Sequence, residues 1–183
     1  IIAYHNNTIL HTGAIPLGGK IITKDIAFGL QTSLEQSEKI KCKNGIAKVA
    51  LSDEEIEINI EGTNGRNDKN INQKDLSLII EPRMKEIFHL VKNEISKANH
   101  TDYTFGIVLT GGGSKLKNIQ ELAEEIFNMP IRIGKPNLIN GIESIINDPR
   151  YATTIGIVNY ASSDKKTISE LINTNNKHKS IFE

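Results

Sequence analysis

The sequence has a single cysteine, no excess of either charge and no long apolar run. The lone thiol of Cys42 excludes a disulfide within the chain, and it favours a reducing compartment. Lys plus Arg number 22, and Asp plus Glu also number 22, so net charge does not support nucleic acid or an anionic membrane as the main partner. No apolar run approaches the roughly 20 residues of a membrane-spanning helix, and no signal peptide is visible.

What is present is typical of a soluble globular protein. The chain has 183 residues, of which 38% are hydrophobic and 24% charged, enough for one or two domains with a sizeable core. The chain opens with an apolar strand pattern at residues 1–4 and does not begin with methionine, so we expect it to be a fragment that lacks its front. Interleaved helix and strand patterns indicate an α/β or α+β class.

The first quarter of the chain predicts two strands, at 1–4 and 8–12, around an Asn-containing turn. A further strand at 14–19 ends on a glycine pair, and a short helix then begins with Thr23 as its N-cap. Thr32 and Glu35 form a predicted capping box that starts a second helix, and Gly45 is expected to end it.

The rest of the chain continues this alternation. Ile56, Ile58 and Ile60 alternate with polar residues, which indicates a strand with one buried face. An apolar stripe from 76 to 95 predicts a long helix that is kinked or divided at Pro82. The other predicted elements are a strand at 46–51, a polar loop at 62–72, a buried strand at 105–110, a helix at 116–127, a strand at 131–133, a loop at 136–149 with one turn at 142–146, a well-buried helix at 151–161 and a polar tail from 162.

The strongest chemical signal is a glycine loop, Gly111, Gly112 and Gly113, which follows an apolar strand and precedes Ser114 and a helix. Glycine lets a ligand approach the backbone closely, and the N–H groups of a helix start attract phosphate. A tight turn without a ligand is the alternative. The pattern is neither a Walker loop nor a dinucleotide fingerprint, since Leu116 stands where the latter needs glycine.

Two weaker signals precede the glycine loop. Gly18 and Gly19 end a predicted strand, although a glycine pair is usually only a turn. Glu38 and Lys41 share a helix face and could hold ribose hydroxyls, but a solvated ion pair is the simpler interpretation. The five histidines show no metal-ligand spacing, and neither a Ser-His-Asp order nor a nucleophile elbow can be recognised.

Taken in order, several segments resemble FtsA, a family of actin-like bacterial cell-division proteins. The resemblance covers roughly residues 1–161, and the order of the motifs is more specific than any single one. The segments are TGAIPLGG at 12–19, ITKDIAFGL at 22–30, LEQSEKIK at 34–41, IIEPR at 79–83, GIVLTGGG at 106–113 and NDPRYATTIG at 147–156.

The resemblance implies an actin-like (ribonuclease-H-like) α/β ATPase fold, of which this chain is the second lobe. Residues 1–29 plus 105–163 would form its core subdomain, 30–104 an inserted α+β subdomain and 164–183 a mobile tail. ATP with Mg²⁺ would lie against a first lobe that carries a phosphate loop and the catalytic groups. The complete protein would be at most a weak ATPase, and this chain alone would be inactive.

The same resemblance assigns nucleotide contacts residue by residue. Glu38 and Lys41 would reach the ribose and adenine, and no residue is assigned to a metal. One departure concerns Lys20, which stands where the family usually has an acidic residue and puts the phosphate geometry there in doubt. The glycines and their neighbours would divide between the phosphates (Gly18, Gly19) and the adenosine (Gly111, Gly112, Gly113, Ser114, Lys115).

The family's role implies an adaptor that anchors the FtsZ ring to the cytoplasmic face of the membrane at the division site, recruits later division proteins and self-associates into filaments. Arg83 and Glu86 are the residues expected to bind the FtsZ tail, because a guanidinium holds a carboxylate bidentately. Family members usually end in a membrane-binding amphipathic helix, whereas the tail here has only two short apolar patches, at 168–172 and at 181–182. The alternatives are an MreB-like or pilus-assembly filament protein, or a sugar kinase of the same fold.

Overall fold

The computed structural model describes residues 1–5, 8–62, 65–97, 106–136 and 147–163. The chain divides into two compact units, Ile1–Ile133 and Gly134–Glu183. The first unit contains β1 (Ile2–His5), β2 (Thr8–Thr12), α1 (Gly19–Leu30), α2 (Leu34–Asn44), β3 (Glu57–Ile60), β4 (Lys69–Asn72), α3 (Gln73–Ser96), β5 (Ile107–Leu109), α4 (Ile119–Phe127) and β6 (Ile131–Ile133), with 3₁₀ turns at Val49–Leu51 and Gly112–Lys115. The second unit contains a 3₁₀ turn at Pro149–Tyr151 and α5 (Ala152–Ser163).

β1 and β2 form an antiparallel hairpin, as the sequence predicts. The N–H of Gly13 donates to the Ile1 carbonyl at 2.9 Å, and the ammonium group of Ile1 donates back to the Gly13 carbonyl at 2.8 Å. Ala3 is buried, whereas Ile2 and Tyr4 are more than half exposed. One face of the hairpin therefore packs against the protein, and the other is apolar and open.

The first helix begins earlier than predicted. α1 starts at Gly19 with Gly18 as its N-cap, and the expected strand at 14–19 is not formed. The prediction of Thr23 as N-cap is wrong: Thr23 lies one turn inside the helix, where its hydroxyl oxygen is 3.2 Å from the Gly19 carbonyl oxygen. A threonine hydroxyl close to the carbonyl four residues back is characteristic of a helix interior.

α2 begins at Leu34, and Ser33 is its N-cap, accepting the Gln36 N–H at 3.2 Å. The capping box predicted at Thr32 lies one residue too early, because Thr32 bonds the Gln36 side chain instead of a backbone N–H. The helix ends before Gly45, as predicted. A Cβ at Gly45 would lie 2.3 Å from the Lys41 carbonyl oxygen, so a side chain does not fit there.

A second antiparallel hairpin, β3 with β4, leads into the long helix. The strand predicted at 56–60 is confirmed, with Ile58 and Ile60 buried. The loop predicted at 62–72 is partly wrong, because it contains β4, whose Lys-Asn-Ile-Asn sequence has little apolar signal. At the end of β4, Asn72 and Asp75 form a reciprocal capping box that starts α3.

α3 is a single helix of 24 residues, although Pro82 lies inside it. Proline removes one intrahelical hydrogen bond, and apolar packing on both sides of Pro82 outweighs that loss. α3 contacts α1 and α4, and Phe88 meets Phe127 of α4 edge to face with ring centroids 5.6 Å apart. The buried stripe of α3 comprises Leu76, Ile80, Met84, Ile87 and Phe88.

Residues 46–51 do not form the predicted strand. Ile46 makes one parallel bridge, with Lys117, and the chain then turns as the 3₁₀ segment Val49–Leu51. The Glu81 carboxylate of α3 accepts the Val49 N–H and pairs with the Lys85 ammonium at 2.6 Å. A backbone N–H bound to a side chain is not available to a neighbouring strand, so strand pairing ends at Ile46.

β5 and β6 pair in parallel, and α4 forms the crossover between them. All three elements are present as predicted, although α4 begins at Ile119, three residues later than expected. The expectation of a fully buried strand is wrong for β5, since Val108 at its centre is 47% exposed. A short apolar run does not distinguish a strand covered on one face from a strand covered on both.

In the second unit, Asp148 caps the 3₁₀ turn at Pro149–Tyr151, and α5 follows. The helix predicted at 151–161 is confirmed, but its predicted burial is wrong, because its apolar residues surround the axis instead of forming one stripe. Three of them are 64%, 50% and 74% exposed: Ile157, Val158 and Tyr160. The turn predicted at 142–146 and the tail from 164 lie outside the described residues.

Glu81 is expected to stabilise this fold in a pH-dependent way. Partial burial alone would raise the pKa of Glu81, but hydrogen bonds from Lys85 and the Val49 backbone, together with the charges of Lys85 and Lys48, outweigh burial and lower it. The folded state therefore favours the carboxylate. This stabilisation is present above the ordinary glutamate pKa and is lost as the pH falls through the folded-state pKa.

We predict that Glu81→Gln lowers the free energy of unfolding at pH 7 by about 1–2 kcal/mol, and that the difference from wild type shrinks as the pH falls below the ordinary glutamate pKa. Urea unfolding at several pH values measures both effects. The control is Glu54→Gln, because Glu54 is 64% exposed in its pair with Lys74 and should cost less than about 0.5 kcal/mol. Equal losses in the two variants, or an undiminished Glu81→Gln loss at pH 3, would contradict this role.

Candidate functional site

The first group of candidate residues meets where the start of α1 faces the middle of α2. The Lys41 ammonium donates to the Gly19 carbonyl at 3.0 Å, to the Thr23 hydroxyl at 2.8 Å and to the Glu38 carboxylate at 2.6 Å. The Thr23 hydroxyl also contacts that carboxylate. The structure therefore joins Glu38 and Lys41 to Gly19, and it adds Thr23, which the sequence analysis considered only as an N-cap. We call these four residues the α1–α2 corner.

The α1–α2 corner presents a charged carboxylate to its surroundings. Only 13% of the Lys41 side chain is exposed, against 50% for Glu38. Partial burial alone would raise the pKa of Glu38, but hydrogen bonds from Lys41 and Thr23, the charge of Lys41 and the Cys42 thiol outweigh burial and lower it. Glu38 is thus an oriented hydrogen-bond acceptor that is still accessible to hydroxyl groups.

Gly18 and Gly19 lie at the N-terminus of α1, next to this corner. A Cβ on Gly18 would have no atom within 4 Å, and a Cβ on Gly19 would meet only the Lys41 ammonium, at 3.7 Å. The first turn of α1 has no acidic residue, and Lys20 in that turn is exposed. The partial positive charge of the helix start is therefore uncompensated by an acidic side chain in the first turn.

The glycine loop forms a tight turn after β5. Gly111 has a φ of +86°, which glycine adopts without strain, and buried Ser114 donates from its hydroxyl to the Gly111 carbonyl at 2.7 Å. A Cβ on Gly111 or Gly113 would have no atom within 4 Å. One prediction needs correction: Gly112–Lys115 is a 3₁₀ turn, and α4 begins only at Ile119. The N–H groups expected at a helix start therefore belong to this turn, which ends at the exposed Lys115.

The end of α2 connects the glycine loop to the α1–α2 corner. The Ala47 N–H donates to the Lys117 carbonyl at 2.8 Å, beside the single bridge between Ile46 and Lys117. A methyl carbon of Leu116 lies 2.9 Å from the position that a Gly45 Cβ would occupy. α2 thus contributes to both places. It carries Glu38 and Lys41, and the residues just after its C-terminus hold the segment that follows the glycine loop.

The second group of candidate residues lies between α1 and α3. The Arg83 guanidinium donates from Nε to Asp25 Oδ2 at 2.5 Å and from Nη2 to Asp25 Oδ1 at 3.1 Å, and its Nη1 contacts Glu86. The hydrogen bonds and charge of Asp25, with a further contribution from Glu86, outweigh desolvation and raise the pKa of Arg83. The two residues predicted to bind a partner, Arg83 and Glu86, are therefore in contact with each other. Asp25, 58 residues away in sequence, was missed because no local spacing signals it.

The described part of the chain has no cluster of three or more His, Cys, Asp or Glu side chains that could hold a metal ion. Within the same ranges, no helix is long and apolar enough to cross a membrane.

The architecture is similar to that of solved actin-like proteins. MreB 5 of Spiroplasma citri bound to AMPPNP matches with a TM-score of 0.60 and 18% identity, over 88% of this chain and 47% of that one. The ADP-bound structure of MreB 5 matches with a TM-score of 0.61 and 18% identity, over 91% and 49% of the two chains. The fold class predicted from the sequence, an actin-like α/β lobe, is therefore confirmed.

Curated relatives at higher identity are cell division proteins named FtsA. Those of Pseudomonas aeruginosa, Bacillus subtilis and Escherichia coli K12 are 35%, 36% and 29% identical over 161, 163 and 168 residues. These matches cover 87%, 88% and 87% of this chain but only 39%, 36% and 40% of the relatives, so the chain spans about two fifths of their length. The family model described as "Cell division protein FtsA" matches residues 1–156. The chain therefore belongs to the FtsA family of cell division proteins.

Proposed function

We propose that this chain is the second lobe of an ATP-binding, actin-like cell-division protein that anchors FtsZ filaments to the cytoplasmic face of the membrane at the division site and recruits later division proteins. The α1–α2 corner carries the nucleotide-binding part of the proposal, because an oriented, half-exposed carboxylate lies beside an open glycine turn and a helix start. The family assignment supports a role in division. The solved structures of MreB 5, bound to AMPPNP and to ADP, support ATP as the ligand.

In this proposal, Glu38 accepts hydrogen bonds from the ribose hydroxyls. An ammonium has three donors, and the three contacts of Lys41 occupy them. Lys41 therefore orients Glu38 and closes the corner, instead of offering a free donor to the ribose as the sequence suggested. The half-exposed Glu38 is the residue of the pair that is left to contact the nucleotide.

The two glycine turns would approach other parts of the nucleotide. Gly18 and Gly19 leave room for phosphates at the N-terminus of α1, and Lys20 in the first turn can donate to a phosphate oxygen. The open positions of Gly111 and Gly113 leave room for the adenosine, beside Ser114 and Lys115. Mg²⁺ would neutralise phosphate charge, and its ligands are expected from a first lobe.

We propose a subdomain organisation close to the one that the sequence predicts. The expected core subdomain comprises residues 1–29 and 105–163, and the insertion comprises 30–104. α1 contacts α2 and α3 of the expected insertion, which favours starting the insertion at α1. Both candidate sites then lie at the edges of this helix.

Arg83 and Glu86 form the proposed site for the FtsZ tail. FtsZ tails are expected to carry acidic residues beside apolar ones, and a partly exposed guanidinium suits a carboxylate. Leu90, two turns after Arg83 on the same face of the helix, is 37% exposed and offers an apolar contact. Membrane attachment through the C-terminal segment and assembly into filaments belong to the same proposal, and rest on the family assignment alone.

We predict that the chain alone binds ATP only weakly. It supplies one wall of the site, and much of the affinity of a two-walled cleft comes from groups held in place on both sides. Titration calorimetry with ATP and Mg²⁺ measures this, with the complete protein as the comparison. A submicromolar dissociation constant for the chain alone would show that a first lobe is unnecessary.

We predict that Gly113→Val in the complete protein abolishes ATP binding without unfolding it. Gly113 has open space around its Cβ position and no positive φ, so the fold should accept a side chain that the nucleotide cannot. Gly156→Val is the control, because Gly156 is also open and lies in α5. Normal ATP binding by a folded Gly113→Val variant would reduce the glycine loop to a simple turn.

We predict that Arg83→Gln weakens binding of an FtsZ tail peptide at least about tenfold, or ~1.4 kcal/mol. Glutamine is preferable to a charge reversal, which would place a third carboxylate beside Asp25 and Glu86. Arg66→Gln is the control, since exposed Arg66 contacts Gln31 at 2.9 Å away from this site. Fluorescence anisotropy with a labelled peptide measures the affinity, and an unchanged value for folded Arg83→Gln would move the partner site elsewhere.

A further inference from the structure

α1 is held by charged groups from both candidate sites. Near its start, the Gly19 carbonyl and the Thr23 hydroxyl are bound by Lys41, and Thr23 also contacts Glu38. Two residues after Thr23, Asp25 binds the Arg83 guanidinium of α3. The proposed nucleotide corner and the proposed partner site thus share one helix.

Asp25 occupies the part of Arg83 that a partner would use. Its two oxygens accept from Nε and Nη2 at 2.5 and 3.1 Å, which is the side-on bidentate geometry that a guanidinium offers to a carboxylate. Arg83 and Asp25 are 27% and 25% exposed, so the pair is accessible from solvent. A partner carboxylate can reach the same pair of donors only by displacing Asp25.

The position of Asp25 depends on the first turn of α1. Backbone hydrogen bonds make a helix move as a unit over short distances, and the buried Ile22 and Ile26 lie on either side of Thr23 and Asp25. Ribose hydroxyls that bind Glu38 would compete with Thr23 for the same carboxylate. That competition weakens one of the bonds that hold the start of α1, so Asp25 can withdraw from Arg83.

We propose that Asp25 is an internal competitor for the partner's carboxylate at Arg83, and that α1 couples occupation of the α1–α2 corner by nucleotide to release of Arg83. This inference rests on the proposed function, because it takes Arg83 as the partner site and Glu38 as a nucleotide contact. It adds a role for Asp25 and the sign of the coupling, in which bound nucleotide strengthens partner binding. By thermodynamic reciprocity, the partner strengthens nucleotide binding by the same factor.

The test measures the affinity of the complete protein for an acidic FtsZ tail peptide, with and without ATP, in wild type, Asp25→Asn and Arg83→Gln. In wild type, ATP should tighten peptide binding about fivefold, at the lower end of typical coupling. Asp25→Asn should bind the peptide about fivefold tighter without ATP and should lose most of the ATP effect. Arg83→Gln should weaken binding in both conditions.

Glu35→Gln is the matched control, because Glu35 pairs with Lys39 on the surface of α2 and is 80% exposed. It changes the net charge by the same amount and should leave both affinities as in wild type. Circular dichroism and thermal melting verify folding, and Asp25→Ala provides a second variant that removes the competing carboxylate altogether.

The outcomes distinguish an error in the proposed partner site from an error in the role of Asp25. If Arg83→Gln leaves peptide affinity unchanged, the proposed partner site is wrong and the inference falls with it. If Arg83→Gln weakens binding but Asp25→Asn and Asp25→Ala bind like wild type, Asp25 is not a competitor and the inference alone is wrong. An ATP effect that is absent from wild type, or that persists undiminished in folded Asp25→Asn, would overturn the coupling through α1.

Discussion

The arrangement of both candidate sites depends on one ammonium group, that of Lys41. An ammonium that is almost covered by protein is unfavourable unless its donors are satisfied, and here a carbonyl, a hydroxyl and a carboxylate satisfy them. Two of these acceptors belong to α1 and the third to α2. The relative position of the two helices is therefore fixed by hydrogen-bond directions as well as by the non-directional packing of their apolar faces.

Local geometry accounts for what could be predicted from the sequence. Residues three apart on a helix lie close together, so the contact of Lys41 with Glu38 and that of Arg83 with Glu86 follow from their spacing. The isoleucines of β3 alternate with polar residues, and the apolar residues of α3 recur at helical spacing. These regular patterns predicted both elements correctly. The glycine loop also lies in its expected place after β5, because a short apolar run that ends in glycines is typical of a strand followed by a turn.

The errors have tertiary causes. Thr23 and Asp25 complete the two sites through partners 18 and 58 residues away, and no local pattern indicates such pairings. The strand expected at 46–51 fails because the Glu81 side chain takes the Val49 N–H that a neighbouring strand would need. β4 was not predicted because its side chains are mostly polar, although its backbone pairs regularly with β3. The prediction that α5 is buried failed because the apolar content of a helix does not show whether another surface covers that helix.

Pro82 has a consequence for how α3 fluctuates. Because proline has no N–H, the carbonyl of Leu78 lacks its usual helical donor, and Leu78 is itself half exposed. Local opening that begins at the Asn72 end of the helix therefore has a natural stopping point one residue before Arg83. Amide hydrogens on the two sides of Pro82 are expected to exchange with solvent as two separate groups, so that fraying of the first turns leaves the half of α3 that carries Arg83 and Glu86 intact.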